Sequence, residues 1–346
     1  MLPVYYELDE DLKLIRRYLD GITDVQTLDH RRFSYIACIS SLYATFERFI
    51  EQLLFNFSTA LLQYSDKLEE VQISRLQDRY TRHAAHLLGQ QLGSGRFRDL
   101  TRNDVATSLA SCLGKRGNAY QLRKEVISHH SANVRWPTIK EMFNWAIPDL
   151  TARVACADAV AAWSTAGAKV SESSLTAELE DLVERRNDLA HNGIPIEILS
   201  RDELLEKVEY IEAISLGLVA TLSAQILDAS SRHGDSIPIG TVTRRYINNR
   251  VALVDLTCRI ECGDFVWTPV SASTARWGQV IELRVGENRS EAAEPGESAS
   301  LHLDFAVPKK AMLYVWSTPN EDLVSPPDKI FGRMGRGSAS GNESTG

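Results

Sequence analysis

The hydrophobic period of this sequence changes once, near His233-Gly234-Asp235, and that change constrains the fold more than any other feature. Before it, apolar residues recur every three or four positions, which is the period of an amphipathic helix. After it, short runs of β-branched and aromatic residues alternate with turn-forming residues, which is typical of strands. A chain of 346 residues is long enough for two units, so the sequence predicts an α+β multidomain protein.

The helical unit is predicted over residues 1–230, and its longest helix over Arg32–Tyr64. The uncharged stretch Ala213–Leu227 is too short for a comfortable membrane span and lies inside a helical pattern, so it predicts a core helix. The other helices are predicted over Glu7–Leu19, Lys67–Leu92, Asn103–Leu113, Ala119–Ser128, Thr138–Trp145, Asp149–Ser164, Ser174–His191 and Asp202–Ser230.

The second unit, residues 236–320, is predicted to be a small closed antiparallel β-barrel, because its six short strands are separated by turns. Residues 321–346 lack the apolar surface to pack and predict a flexible tail. The six strands are predicted around Ile239–Val242, Val251–Leu256, Phe265–Trp267, Val280–Val285, Leu301–Phe305 and Met312–Trp316.

Composition limits the function classes. A formal net charge of -8 does not indicate a nucleic-acid binder, so RNA binding would need a local basic patch within about 8–10 Å of the phosphate. Five scattered cysteines in apolar surroundings indicate a reducing compartment. Cys258 and Cys262 lie on one predicted strand with no second ligand pair, so neither a metal nor a cofactor is predicted. The N-terminus lacks a basic region followed by an apolar core, which indicates a cytoplasmic protein with no secretory signal.

One predicted helix places a charge where an apolar residue is expected. Arg186 falls in the middle of its buried stripe, whereas Arg185 is expected to point into solvent. Burying an unpaired guanidinium is costly, so Arg186 needs an anionic partner or an opening onto a cleft. The apolar stripe consists of Leu175, Leu179, Leu182 and Leu189.

Asn187 and His191 lie four residues apart, on one flank of that helix. The helix is predicted to stop at Asn192-Gly193, where glycine supplies the left-handed C-terminal conformation. An imidazole at this position suits general acid–base chemistry near neutral pH.

The segment Arg186–His191 resembles the signature of the HEPN ribonucleases, an Arg and a polar residue followed by a His near a helix end. The segment Ser41–Leu53 looks like the early HEPN helix with its acidic residue, here Glu47. The segment His130–Phe143 resembles the middle of the RiboL-PSP type of HEPN domain. Together the resemblance covers roughly residues 1–230.

The resemblance implies a metal-independent endoribonuclease in which the 2′-hydroxyl of the RNA attacks the adjacent phosphate. His191 would move protons, Arg186 would hold the phosphate and Asn187 would orient one of them, with Glu47 as an orienting partner. HEPN sites form where two copies of this helix face each other, so a homodimer is implied. The protein would be a toxin or phage-defence effector acting on RNA without a membrane, and an antitoxin or trigger protein would be a further partner.

The barrel, over Ile237–Trp316, resembles the second domain of translational GTPases through its Gly-Asp and Ala-x-x-Gly turns. It would select the RNA, and the helical unit alone is expected to retain the chemistry. Seven basic residues would form a surface that faces tRNA or the ribosome, or else a solvated face with interspersed acidic residues: Arg244, Arg245, Arg250, Arg259, Arg276, Lys309 and Lys310.

Other interpretations remain open. The helical unit would then be a non-catalytic HEPN module that binds RNA or a partner protein, with Arg186 paired to Glu47 or another buried carboxylate and His191 capping the helix. His129 and His130 are expected in a loop, either remote from the substrate or lining its path. The modified toxin of a nucleotidyl-transfer pair is disfavoured, because the tyrosine that such toxins carry shortly after the His is absent after His191.

Overall fold

Helices occupy the N-terminal two thirds of the chain and strands the remainder. The computed structural model describes residues 1–22, 27–114, 120–164, 170–192, 195, 197–271, 274–317, 319, 323 and 326–331. The switch from helix to strand falls between His233 and Ser236, where the sequence period changes. The predicted order of helical bundle and β-barrel is therefore confirmed.

Ten α-helices form the bundle in the described residues, and most match their predicted positions. The prediction over Ala119–Ser128 was too long, since only Lys124–Ile127 is helical among the described residues there, and the prediction over Asp149–Ser164 missed a break between Ala155 and Asp158. The helices are α1 Leu2–Asp20, α2 Leu28–Leu62, α3 Glu70–Leu88, α4 Arg102–Cys112, α5 Lys124–Ile127, α6 Trp136–Phe143, α7 Leu150–Ala155, α8 Asp158–Trp163, α9 Glu172–Asn192 and α10 Arg201–His233.

The break between α7 and α8 follows from their contact with α10. Ala157 is extended there (φ -70°, ψ 141°), so the chain turns and both short helices pack on α10. At the contact, a side chain on Gly217 would lie 2.7 Å from Val160 Cγ2 and 3.1 Å from Val154 Cγ1. Glycine therefore allows this close approach of helices.

Helix α10 is the central element of the core. Ser200 caps its start by accepting a hydrogen bond from the backbone of Glu203, and Gly234 ends it in the left-handed conformation (φ 99°). The helix is long and apolar enough to cross a membrane, yet 89% of its most apolar window is buried inside the molecule. It is accordingly the core helix that the sequence predicts.

Six strands of the second unit close into an antiparallel barrel in the order β4-β9-β1-β2-β8-β5, with β5 returning to β4. The predicted strand over Cys258–Cys262 is wrong in extent, because only Ile260 and Glu261 are strand residues, paired with β7. The strands are β1 Ser236–Tyr246, β2 Val251–Asp255, β3 Ile260–Glu261, β4 Phe265–Pro269, β5 Ala275–Val285, β6 Asn288–Ser290, β7 Ala292–Ala293, β8 Ser298–Leu303 and β9 Met312–Trp316.

One outer face of the barrel shares a hydrophobic core with the helices. Trp267, Trp277 and Trp316 are buried in that shared core, while the barrel encloses a separate core of its own. Arg276 on β5 also pairs with Asp158 on α8 (Nη2–Oδ2, 2.8 Å). The two units are therefore joined by packing as well as by the chain.

Part of the predicted tail is anchored to the helices. Residues 328–331 form a 3₁₀ turn in which Ile330 is buried. Lys329 Nζ lies 2.6 Å from Glu212 Oε1 on α10. The rest of the predicted tail, from residue 332 onward, lies outside the described residues.

Candidate functional site

Helices α2 and α9 lie side by side, and the guanidinium of Arg186 is held between them. Its Cζ lies 5.0 Å from the centre of the Tyr43 ring, which places the cation over an aromatic face. Its Nη1 donates to Asn187 Oδ1 (3.2 Å) and to Asn133 Oδ1 (3.4 Å). Arg186 is half-buried, as its position in the apolar stripe predicts.

No carboxylate pairs with Arg186 in the part of the chain that the structure describes. The alternative of a structural ion pair with Glu47 is thus not observed. The neighbours of the guanidinium are two amide oxygens and an aromatic ring, which orient it without neutralising its charge. An anion that approached this side chain would meet an uncompensated positive charge.

Asn133 joins the two helices from the loop before α6. Its Nδ2 donates to Asn187 Oδ1 (2.9 Å), so that oxygen accepts hydrogen bonds from both Asn133 and Arg186. The Nδ2 of Asn187 has no acceptor among the described residues. Asn187 is therefore fixed by its oxygen and retains a donor for a ligand.

Tyr43 connects this group to Glu47. The Tyr43 hydroxyl donates to Glu47 Oε1 (3.2 Å) and accepts from the backbone N–H of Val134 (3.0 Å). Burial raises the pKa of Tyr43 to about 12, so the hydroxyl keeps its proton at neutral pH. Tyr43 is a core aromatic that also supports the cation.

His130 and two carboxylates of α2 form an adjoining group. His130 Nε2 lies 3.0 Å from Glu51 Oε1 and 3.9 Å from Glu47 Oε1, and its Nδ1 donates to the carbonyl of Ala132 (2.6 Å). Burial is the largest single influence on His130 and opposes its charge, but the hydrogen bonds to Glu51 and to the Ala132 carbonyl, together with the negative charges of Glu51 and Glu47, outweigh burial and raise the pKa of the imidazole. Burial would likewise raise the pKa of Glu51, yet His130 and the paired Arg96 lower it.

His191 does not join the group. It lies one turn beyond Asn187, is exposed, and makes no hydrogen bond or ion pair with a described residue. Helix α9 ends at Asn192, while the predicted left-handed Gly193 lies outside the described residues. The structure therefore brings Arg186 and Asn187 together, links Glu47 to them through Tyr43, and leaves His191 apart.

The expectation for Arg185 was wrong. Its Nε lies 2.9 Å from Asp181 Oδ2, and its Nη1 donates to the Tyr35 hydroxyl (3.4 Å). Asp181 also binds Lys207 of α10 (2.6 Å). Arg185 is half-buried because α10 passes beside this face of α9, which a single helical wheel does not take into account.

Sequence reasoning missed Asn133 and Glu51 and left His130 undecided. Asn133 and His130 lie in a loop without hydrophobic period, and the resemblance of His130–Phe143 to a HEPN segment was the only signal for them. Within the described residues, no group of three or more His, Cys, Asp or Glu side chains is arranged to hold a metal ion.

The basic residues predicted on the barrel do not form one free surface. Arg244, Lys309 and Lys310 are exposed. The other four bind groups of the same chain, Arg245 with the Val307 carbonyl, Arg250 with Asp328, Arg276 with Asp158 and the exposed Arg259 with Glu261.

Comparison with known proteins gives one positive result. A family model described as RiboL-PSP-HEPN matches residues 6–224, a range that holds every residue of the site and ends within α10. No curated protein and no solved structure matches the chain.

Proposed function

The chain belongs to the RiboL-PSP-HEPN family, and on that basis we propose that it is an endoribonuclease that cuts RNA with Arg186, Asn187 and His191. Family membership supports an RNA-related function. The observation that carries the proposal further is the guanidinium of Arg186, which is held by Tyr43 and two amides but paired with no carboxylate in the described chain. A phosphate is the anion that such a side chain recognises best.

In the proposed reaction, the 2′-hydroxyl of one nucleotide attacks the adjacent phosphorus. The bond from phosphorus to the 5′-oxygen breaks, which leaves a 2′,3′-cyclic phosphate and a 5′-hydroxyl. Arg186 stabilises the charge that develops on the phosphate, and the free amide donor of Asn187 orients it. His191 takes the proton of the attacking hydroxyl or supplies one to the leaving oxygen. Glu47 acts through Tyr43 as an orienting residue.

The isolated position of His191 supports a homodimer. Because His191 makes no hydrogen bond or ion pair with the Arg186 group in one chain, a second copy of α9 facing the first would complete the site. In this proposal the enzyme acts in the cytoplasm as a toxin or phage-defence effector. An antitoxin or trigger protein would then control its access to cellular RNA.

The same isolation of His191 favours one alternative, a HEPN module that binds RNA or a partner protein without cutting it. A single variant distinguishes the two functions. His191→Ala abolishes cleavage in an enzyme and leaves RNA affinity intact, whereas a binding module has no cleavage to lose.

The decisive experiment incubates the purified protein with RNA in EDTA and maps the ends of the products. We expect fragments with 2′,3′-cyclic phosphate ends from the natural protein, none from His191→Ala, and from Arg186→Ala a yield lower by about 100-fold or more. The proposed chemistry uses only groups of the chain and of the RNA, so EDTA should not reduce the rate. Activity that disappears in EDTA and returns with magnesium or manganese would refute this mechanism.

A further inference from the structure

A second cleft lies beside the loop that carries Asn133. It has a volume of about 500 Å³ and opens between α3 and the segment from His129 to Ala132. Four imidazoles line it, two from successive turns on one face of α3 and two from the loop: His83, His86, His129 and His130.

Three of these rings contact one another, one pair nearly stacked and one pair edge to face. His86 and His129 have ring centres 4.7 Å apart and planes inclined by 31°, and His83 lies edge-on to His129 at 5.5 Å. Burial lowers the pKa of both His83 and His129 to about 4, so both rings are uncharged at neutral pH. These two rings and the flat ring of the exposed His86 form a surface on which a nucleobase stacks.

The cleft also offers polar groups to a ligand. His129 Nδ1 is buried and has no hydrogen-bond partner among the residues that the structure describes, a state that costs free energy unless a ligand supplies one. Arg82 at the rim is 69% exposed and reaches Glu141 only at 3.8 Å, so its guanidinium remains available to an anion. An aromatic wall, an unsatisfied ring nitrogen and a cation at the rim together match a base and its phosphate.

One loop contributes residues to both the cleft and the candidate site. His130 lines the cleft and its Nε2 contacts Glu51, which lies on α2 one turn after Glu47. Ala132 also lines the cleft, and the next residue, Asn133, donates to Asn187. An RNA strand bound at Arg186 therefore has to cross only this loop to reach the imidazoles of the cleft.

We propose that this cleft binds one base of single-stranded RNA, further along the strand than the two nucleotides that flank the bond that is cut, with His86 as the stacking surface. The inference rests on the proposed function, since it names the substrate class as unpaired RNA and adds a subsite to that site. A base in a duplex is already stacked and cannot enter such a cleft, so RNA loops and single strands are the preferred substrates.

The test compares His86→Ala, His86→Phe and, as a matched control on the barrel, His302→Ala. Binding of a fluorescein-labelled single-stranded decanucleotide is measured in the His191→Ala background, where the RNA stays intact. Cleavage by the otherwise natural chain is measured on the decanucleotide and on a dinucleotide too short to reach the cleft. Thermal unfolding of each variant checks that the fold is retained.

We expect His86→Ala to weaken decanucleotide binding and raise its KM by about tenfold, the effect of losing one base–aromatic stack. The kcat and the dinucleotide cleavage should be unchanged, and His86→Phe should restore affinity because a ring is restored. Equal losses on both substrates, no rescue by phenylalanine, or no change in binding would overturn the subsite. If the natural chain binds the decanucleotide through His86 but cuts no RNA, the subsite stands and the proposed cleavage fails.

Discussion

At the scale of single residues, the site depends on what surrounds two neighbouring arginines. Arg186 contacts amides and a ring, whereas Arg185 is paired with Asp181, which also holds Lys207. Sequence alone placed Arg186 in the apolar stripe, because that position follows from helical period. It did not place Asn133, which lies 53 residues earlier in a loop and meets Arg186 only through tertiary packing.

Substitution of the two arginines should therefore affect different properties, catalysis for Arg186 and stability for Arg185. Arg186→Ala should lower kcat by about 100-fold or more, the usual effect of losing a group that stabilises transition-state charge. Arg185→Ala should retain most of the activity and lower stability, because it leaves Asp181 with one partner fewer. Cleavage rates and thermal unfolding of both variants test this, and an equal loss of kcat in the two would contradict it.

The half-buried imidazole of His83 predicts a loss of stability in acid. Burial, assisted by the charge of Arg79, lowers its pKa from 6.5 to about 4, while its Nδ1 donates to the Val126 carbonyl. Because the pKa of His83 is lower in the folded chain than in the unfolded chain, its contribution to stability is fully present at pH values above the pKa of the unfolded chain. That contribution is lost as the pH falls through the pKa of the folded chain. The amide of asparagine keeps a hydrogen-bond donor but does not titrate. Between pH 6.5 and 4, the melting temperature of His83→Asn should therefore fall by less than that of the natural chain.

His302→Asn on the barrel is the control for this pH series. His130 titrates in the opposite sense, because its pKa is raised, so the difference between variant and natural chain is the quantity to compare. If His83→Asn and the natural chain showed parallel pH profiles, His83 would not be the group responsible.

At the scale of elements, the long helices were predictable and the short ones were not. A 35-residue helix such as α2 repeats its apolar period many times, so its position is fixed by its own sequence. The break between α7 and α8 carries no such signal, because it is set by the contact of both helices with Gly217 on α10. The barrel strands were predictable from turn residues, but their closure through β4 and β5 was evident only in the structure.

Gly217 gives a prediction at this scale. Alanine favours helix over glycine by about 1 kcal/mol, yet its methyl group would lie 2.7 Å from Val160 Cγ2. Overpacking of this kind costs about 1–3 kcal/mol, so Gly217→Ala should destabilise the protein in spite of its helix propensity. Gly89→Ala, where the nearest atom lies at 3.4 Å, is the matched control. Denaturant unfolding would contradict the packing argument if Gly217→Ala were the more stable of the two.

At the scale of the whole molecule, the barrel is a structural part of the helical unit. The sequence-based expectation was that the helices alone would keep the chemistry. Trp267, Trp277 and Trp316 now place one face of the barrel in the helical core, and Glu212 of α10 is held by Lys329 beyond the barrel. Hydrophobic periodicity indicates which face of a single helix or strand is buried, but not which other element packs against that face. The shared core therefore could not be predicted from the sequence.

A chain that ends at Gly234 should therefore expose apolar surface and lose stability. We expect it to aggregate or to melt well below the full chain, because the surface opposite three buried tryptophans would face water. Light scattering and thermal unfolding measure this outcome. A truncated chain that stayed monomeric or dimeric, melted like the full chain and retained cleavage would restore the barrel to a purely selective role.

The joint between α10 and β1 also bears on how such a chain can evolve. Gly234 and Asp235 are the only residues between the core helix and the first strand, and Ser230 and Ser236 on either side share a hydrogen bond (2.7 Å). Recombination that replaced the barrel would have to supply the same three tryptophans and the same partner for Asp158. The joint and the shared core together make this barrel a poor candidate for modular exchange, and the two parts should diverge through compensating substitutions at their contact.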